Sequence, residues 1–219
     1  MKLIDTSLIH QVAPFDESQK GLRPTLILLH GRGANEEDLL GLVPHLRPQL
    51  FCIAARAPFS FPYGGYTWYD LQEVGTPDAA QFSESYDRLT RFLDDVQTKY
   101  PVDPRRTFLL GFSMGTVMSY ALALTKPDRI KAVVAHSGYI PENTHLNFQW
   151  ENLANTSFFV AHGVYDPVIP IAFGRRANQL LSKATAPLIY REYPIQHQIS
   201  EESLHDFGSW LGQQLDSSL

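Results

Sequence analysis

Thr107-Phe108-Leu109-Leu110-Gly111-Phe112-Ser113-Met114-Gly115 is the stretch on which the reading turns. Four residues of strand character run into a G-x-S-x-G string. The chain then continues from Met114 to Leu124 as a segment rich in Ala, Leu and Met, closed by Pro127. Strand, glycine-flanked serine and helix in that order suit a sharp strand-to-helix turn. Glycines leave room for the crossing backbone, and the serine oxygen is presented above the end of the strand. The expectation is that Ser113 is a nucleophile; the alternative is a glycine-rich turn without chemistry.

Working outward, short apolar runs alternate with segments of helical spacing. Thr25–His30, Phe51–Ala55, Ala132–Ala135, Ser157–Ala161 and Leu188–Tyr190 join Thr107–Leu110 as strand candidates. Their apolar residues are continuous rather than alternating, as in parallel strands covered on both faces. Ser85, Leu89, Phe92, Leu93 and Val96 recur at three- and four-residue spacing, which predicts a helix that Pro101 stops by Tyr100. Ile171–Leu181 and Ser200–Leu211 also suit helices, the latter with Ser200 as N-cap. This alternation predicts βαβ units and an α/β layered fold with a mostly parallel central sheet flanked by helices. Two stretches break the pattern: the aromatic-rich Pro58–Asp70, which includes Phe59, Trp68 and Tyr69, and the polar Tyr139–Asn155. The former reads either as packing over the sheet or as an apolar wall beside a site.

Composition bounds the rest. The chain has 219 residues, 18 Lys+Arg against 23 Asp+Glu, and a net charge of −5. One domain spanning 1–219 is expected, with enough core to need no staple. The acidic balance argues against nucleic-acid binding, which needs a basic face. A single cysteine, Cys52, excludes a disulfide framework and a multi-Cys metal site. No run of apolar residues is long enough to span a membrane, and no signal peptide is visible, so a cytoplasmic location is expected.

A serine needs a base to take its proton and a carboxylate to orient that base. On such a fold the partners follow in the order serine, acid, histidine, each after a later strand. Among the eight histidines, His205 falls in a predicted helix, and His136 and His162 leave little room for an acid before them. His197, between the last strand and the last helix, is the best base. Asp166, in Val160-Ala161-His162-Gly163-Val164-Tyr165-Asp166-Pro167, lies after the penultimate strand and is the best acid; Glu142 and Asp128 follow the wrong strands. Asp166 also reads as a turn or capping aspartate, and His197 as a surface histidine. In Leu29-His30-Gly31-Arg32-Gly33, the glycines let the loop aim the Arg32 N–H at a developing oxyanion, with the Met114 N–H as second donor. The Arg32 side chain is expected to face solvent or to pair with Glu36, Glu37 or Asp38.

Taken together, His30-Gly-Arg-Gly, Trp68-Tyr69-Asp70, Gly111-Phe112-Ser113-Met114-Gly115, His162-Gly163 through Asp166-Pro167-Val168-Ile169-Pro170, and His197 resemble the phospholipase/carboxylesterase family of small α/β hydrolases, which includes acyl-protein thioesterases. The resemblance runs from about Thr25 to Leu211. It implies a single α/β-hydrolase domain without a large cap, Ser113, Asp166 and His197 as the triad, and Arg32 and Met114 as oxyanion donors. It also implies that Trp68-Tyr69-Asp70 lies near the acyl pocket, and Phe59 of the same aromatic stretch is expected to join Trp68 and Tyr69 in binding substrate. Thioesterase members carry Gln after the serine and Leu-Gly-Asp after the His-Gly, where this chain has Met114 and Arg32-Gly33-Ala34. The match is therefore to the wider family.

The expectation is hydrolysis of carboxylic esters or thioesters of apolar acyl groups, with a small-molecule ester as partner and no cofactor or metal; a homodimer is left open. Two rivals stand beside it. One is a non-catalytic binding protein of the same fold, and the other a metal-dependent hydrolase using His136, His162 and Asp166.

Overall fold

A computed structural model describes residues 4–16, 18 and 20–216. Seven strands form the central sheet: β1 (His10–Val12), β2 (Arg23–Leu29), β3 (Phe51–Ala55), β4 (Val102–Phe112), β5 (Ala132–His136), β6 (Ser157–Gly163) and β7 (Leu188–Tyr193). Their order is β1-β3-β2-β4-β5-β6-β7. Only β1 runs antiparallel to its neighbour; the others pair in parallel. From β2 the chain steps out to β3 and then crosses to the other side of β2 as β4, so the strand order reverses between β2 and β4. A crevice opens at the carboxyl ends of strands on either side of such a reversal.

Register brings those ends level. Leu29 pairs with Gly111, Gly111 with Ala135 and Phe112 with His136, His136 with Ala161, and Gly163 with Tyr193. The segments that follow each strand (30–33, 113–115, 137–139, 164–170 and 194–198) therefore emerge along one edge.

The continuous apolar runs serve two cores, one on each face. Ile27, Leu29, Ile53, Leu109, Val133 and Val160 point into the first, against α1 (Ala79–Lys99), α2 (Met114–Thr125) and α3 (Ile171–Lys183). Leu26, Leu28, Cys52, Phe108, Leu110, Val134 and Phe159 point the other way, against α4 (Glu201–Asp216) and a 3-10 turn over Asp38–His45. α2 is buried from Met114 to Leu124, which is why its sequence shows no polar face. Burial pushes the Cys52 thiol up to about 12, so it acts as an apolar side chain.

Strand and helix positions follow the sequence expectation, with three differences. β4 begins at Val102, five residues early. Its charged start, Asp103 to Arg106, carries its own ion pair, Arg106 Nε to Asp103 Oδ2 at 2.8 Å, and does not look like sheet. β1 is three residues with a polar beginning and is invisible to pattern. The aromatic stretch is not a plain loop but contains the hairpin Phe59–Ser60 with Tyr66–Thr67; beyond it Leu71–Glu73 pairs with Thr76–Pro77. α1 ends at Lys99, with Tyr100 as C-cap. Ser200 Oγ accepts from Ser203 N at 3.1 Å, and Ser203 Oγ accepts from Ser200 N at 3.0 Å, a reciprocal cap on α4.

Candidate active site

Between β4 and α2 the backbone turns at Ser113 with φ 56° and ψ −118°, a conformation that a residue with a Cβ adopts only under compulsion. The compulsion comes from three sides. Ser113 N donates to His136 O at 3.0 Å. Thr116 Oγ1 reaches the carbonyls of Gly111 and His136, both at 2.7 Å. Gly111 and Gly115 pack so closely that a Cβ on Gly111 would lie 2.5 Å from the Gly115 carbonyl. The serine is 7% exposed, and Met114, first residue of α2, carries one of the leading N–H groups that a helix leaves unpaired.

His197 stands beside this turn. Its ring lies 4.9 Å from that of Phe112, the residue before the serine. Its Nδ1 is 2.7 Å from Asp166 Oδ2. The other carboxylate oxygen, Oδ1, accepts from Val168 N and Ile169 N, both at 2.8 Å. Asp166 is thus an acceptor on both oxygens in a buried site, and the Nδ1–H of His197 is committed to it. That leaves Nε2 as the nitrogen available for proton exchange, the tautomer a general base requires.

On the other side of the strand reversal, Gly31 lies against the elbow: a Cβ there would be 3.3 Å from Ser113 Cβ. The loop is fixed by a buried histidine. His30 Nδ1 donates to Gly31 O at 2.7 Å and Nε2 accepts from Ala57 N at 3.0 Å. Burial holds this imidazole below its ordinary value. Gly33 N donates to Tyr66 O, and Tyr66 N to Ala34 O, both at 2.8 Å. No acceptor for the Arg32 N–H occurs among the described residues.

The Arg32 side chain is exposed, within the expectation that it faces solvent. It lies 4.6 Å over the Phe61 ring and 3.7 Å from Asp70, not beside Glu36, Glu37 or Asp38. Glu36 is taken by Arg56, whose Nε and Nη2 donate to its two carboxylate oxygens at 2.6 and 2.5 Å. Trp68 and Tyr69 are sealed from solvent. Trp68 Nε1 donates to His30 O at 2.9 Å, and the Tyr69 and Tyr139 hydroxyls are 3.0 Å apart. The polar tips of both rings are thus spent on internal bonds. Phe59 is half-buried in its hairpin, and it is Phe61 that meets the Arg32 loop, 3.4 Å from a Cβ on Gly33.

Sequence reasoning missed Phe112 as a ring partner of the histidine, and missed Ser137-Gly138. Ser137 also has positive φ, at 52°, and a Cβ on Gly138 would fall 2.4 Å from Thr116 Cβ and 2.9 Å from Ser113 O. A Ser-Gly pair directly after an apolar strand was the available signal. Beyond it, Gly75, Tyr139, Ile140, Ala172 and Phe173 line an open cleft of about 320 Å³, with Glu142, Asn143 and Arg176 at its polar side. The residues of the metal rival are otherwise engaged. His136 bonds Ser137 Oγ and Ser203 Oγ at 3.0 and 3.1 Å, and His162 bonds Ile169 O. Among the described residues no group of three His, Cys, Asp or Glu is arranged to hold a metal.

Residues 12–214 match the family model for phospholipases and carboxylesterases. The chain belongs to the phospholipase/carboxylesterase family. Among its curated relatives are a probable carboxylesterase SOBER1-like of Arabidopsis thaliana, 29% identical over 77% of this chain and 68% of that one, and acyl-protein thioesterase 1 of Candida albicans, 26% identical over 84% and 89%. A carboxylesterase of Bacillus cereus superposes with a TM-score of 0.83 over 94% of both chains at 24% identity, a likeness of fold. The candidate site of this phospholipase/carboxylesterase member lies at the carboxyl ends of the strands. No helix among its described residues is long and apolar enough to cross a membrane.

Proposed function

We propose that the protein is a serine hydrolase that cleaves carboxylic esters and thioesters of apolar acyl groups through an acyl-Ser113 intermediate. The observation that carries this reading is the 2.7 Å bond from His197 Nδ1 to the buried Asp166 Oδ2, on an imidazole whose ring lies tilted against Phe112, the residue before Ser113. Ser113 Oγ attacks the carbonyl carbon while His197 Nε2 takes the hydroxyl proton, and the carbonyl electron pair moves onto oxygen. The Arg32 and Met114 N–H groups stabilise that oxyanion; one such donor is worth about 10²–10³-fold in turnover. As the tetrahedral intermediate collapses, the bond to the leaving oxygen or sulfur breaks, and His197 returns the proton to it. Water then repeats the sequence on the acyl-enzyme and releases the carboxylic acid and the free serine. Asp166 holds the tautomer and offsets the charge of the transient imidazolium.

The cleft that begins at Tyr139 supports an apolar acyl group, since its wall of Tyr139, Ile140 and Phe173 starts one residue beyond Gly138 on the elbow. The wider family includes thioesterases, which keeps thioesters within the substrate class. Every step uses groups of the chain itself, so the proposed reaction calls for neither cofactor nor metal, and activity is expected to be unchanged in a chelator. A fluorophosphonate probe tests the mechanism. Wild-type protein should gain one adduct, mapped to Ser113 by peptide mass, and Ser113→Ala none. Absence of labelling together with absence of ester turnover would favour a binding protein built on the same fold.

A further inference from the structure

Behind Asp166 lies a histidine that the proposed reaction does not use. His162, on β6, is fully buried. Its Nε2 donates to Ile169 O at 2.7 Å and stands 3.5 Å from Asp166 Oδ2. Ile169 is therefore held at both ends of one residue: its N–H by Asp166 Oδ1, its carbonyl by His162. Nδ1 has no hydrogen-bond partner and packs against α3, where a Cβ on Gly174 would lie 2.8 Å from it. The bond to the Ile169 carbonyl places the proton on Nε2, and the ring stays neutral because a second proton on Nδ1 would be buried without an acceptor. The titratable groups facing this ring are Asp166 on its own loop, His197, His136 on β5, and Glu192 on β7 with its partner Arg175 on α3. Burial is the largest influence and holds the imidazole below its ordinary value, in line with a neutral donor.

We propose that His162 is a positioning residue: by fixing Ile169 it sets the plane of the Asp166 carboxylate, so that Oδ2 faces His197 Nδ1. The proposal rests on the reading of Ser113, Asp166 and His197 as the catalytic groups. The bond to Ile169 is short and the approach to Asp166 long, so the first carries the effect. Losing it loosens the carboxylate, weakens its support of the protonated His197, and moves the acid limb of kcat/KM to lower pH.

The test is a set of variants in the full chain, assayed on a short p-nitrophenyl ester across pH. His162→Leu, which removes the donor, should lower kcat about ten-fold, the scale of a small misplacement, with KM unchanged because the ring touches no substrate. Its acid limb should move down by about half a pH unit, the effect of a partly lost charged hydrogen bond. His162→Gln, whose amide reaches the same carbonyl, should restore both. Gly174→Ala, which presses on Nδ1 from α3, should show the same downward shift in smaller measure and stands in if His162→Leu does not fold. An acid limb that stays in place in His162→Leu, or in Gly174→Ala where that variant is the readout, overturns the proposal. So does a Gln variant as impaired as Leu. The His197 Nδ1–H proton resonance, recorded in a Ser113→Ala background, reads the positioning without turnover. If Ser113→Ala still hydrolyses ester, it is the acyl-serine reading that fails, while a resonance moved by Leu and spared by Gln keeps the positioning role.

Discussion

Gly115 passes so close beneath the Leu29 carbonyl that a Cβ built on it would stand 1.8 Å from that oxygen. The second glycine of the G-x-S-x-G string is thus required by β2, a strand more than eighty positions away in the sequence. It is this contact that brings the Gly31–Gly33 loop against the serine turn.

Gly115→Ala is expected to abolish folding or activity, since the obstacle is backbone in two central elements and neither can move aside. Gly208, in α4, is the control. A Cβ there meets Leu46 Cδ2 at 3.6 Å, an ordinary contact. Gly208→Ala should stabilise by about 0.5–1 kcal/mol through helix propensity. Thermal melts of both variants decide it, and equal behaviour would sink the distinction.

Ser113→Ala should remove ester hydrolysis by about 10⁴-fold or more, leaving the melting temperature close to that of wild type. In wild type, kcat/KM should fall toward acid pH as the base takes up a proton. A profile flat down to pH 5 would remove His197 from the base role, and retained turnover in the alanine variant would do the same for the serine.

Arg56 and Glu36 brace the loop that carries Arg32. Glu36 is buried, and the hydrogen bonds from Arg56 hold its carboxyl below the usual carboxylate range. Tyr66 adds a hydroxyl to the guanidinium at 3.0 Å. Arg56→Met leaves a buried carboxylate without its partner and should cost about 2–3 kcal/mol, less than a fully buried pair because the arginine is partly exposed. The double variant Arg56→Met/Glu36→Leu should recover part of that loss in urea denaturation. No recovery would mean that the pair is not coupled.

His136 gives stability a pH dependence of definite sign. Full burial, the largest cause, and the nearby His162 and His197 pull it down to about 3, against about 6.5 in the unfolded chain. Between those values the unfolded chain binds a proton that the native one does not. The stabilisation is therefore complete above pH 6.5 and lost as pH falls toward 3. His136→Gln should reduce the difference in unfolding free energy between pH 7 and pH 5 by about 2 kcal/mol. His10, His30 and His162, also held low by burial, keep some slope in the variant. An undiminished slope would show that His136 is not the group responsible.

What the linear chain determined is what depends on near neighbours. Continuous apolar runs require a sheet covered on both faces, Pro101 and Pro127 end helices, and glycines on either side of Ser113 permit a turn that few other residues could follow. Chain order then narrowed eight histidines to His197 and placed Asp166 after the penultimate strand. Pairing across the fold decided the remainder. β1 and the start of β4 exist because neighbouring strands offer hydrogen bonds, which no local pattern records. Arg32 lies over Phe61 and near Asp70, while Glu36 is held by Arg56. Trp68 and Tyr69 are buried with their polar atoms claimed by His30 O and the Tyr139 hydroxyl. Phe112, His162 and Gly138 acquire their places only when strand ends are set side by side. Side-chain partners far apart in sequence are chosen by competition for buried hydrogen bonds and volume, and that competition has no outcome until the chain has folded.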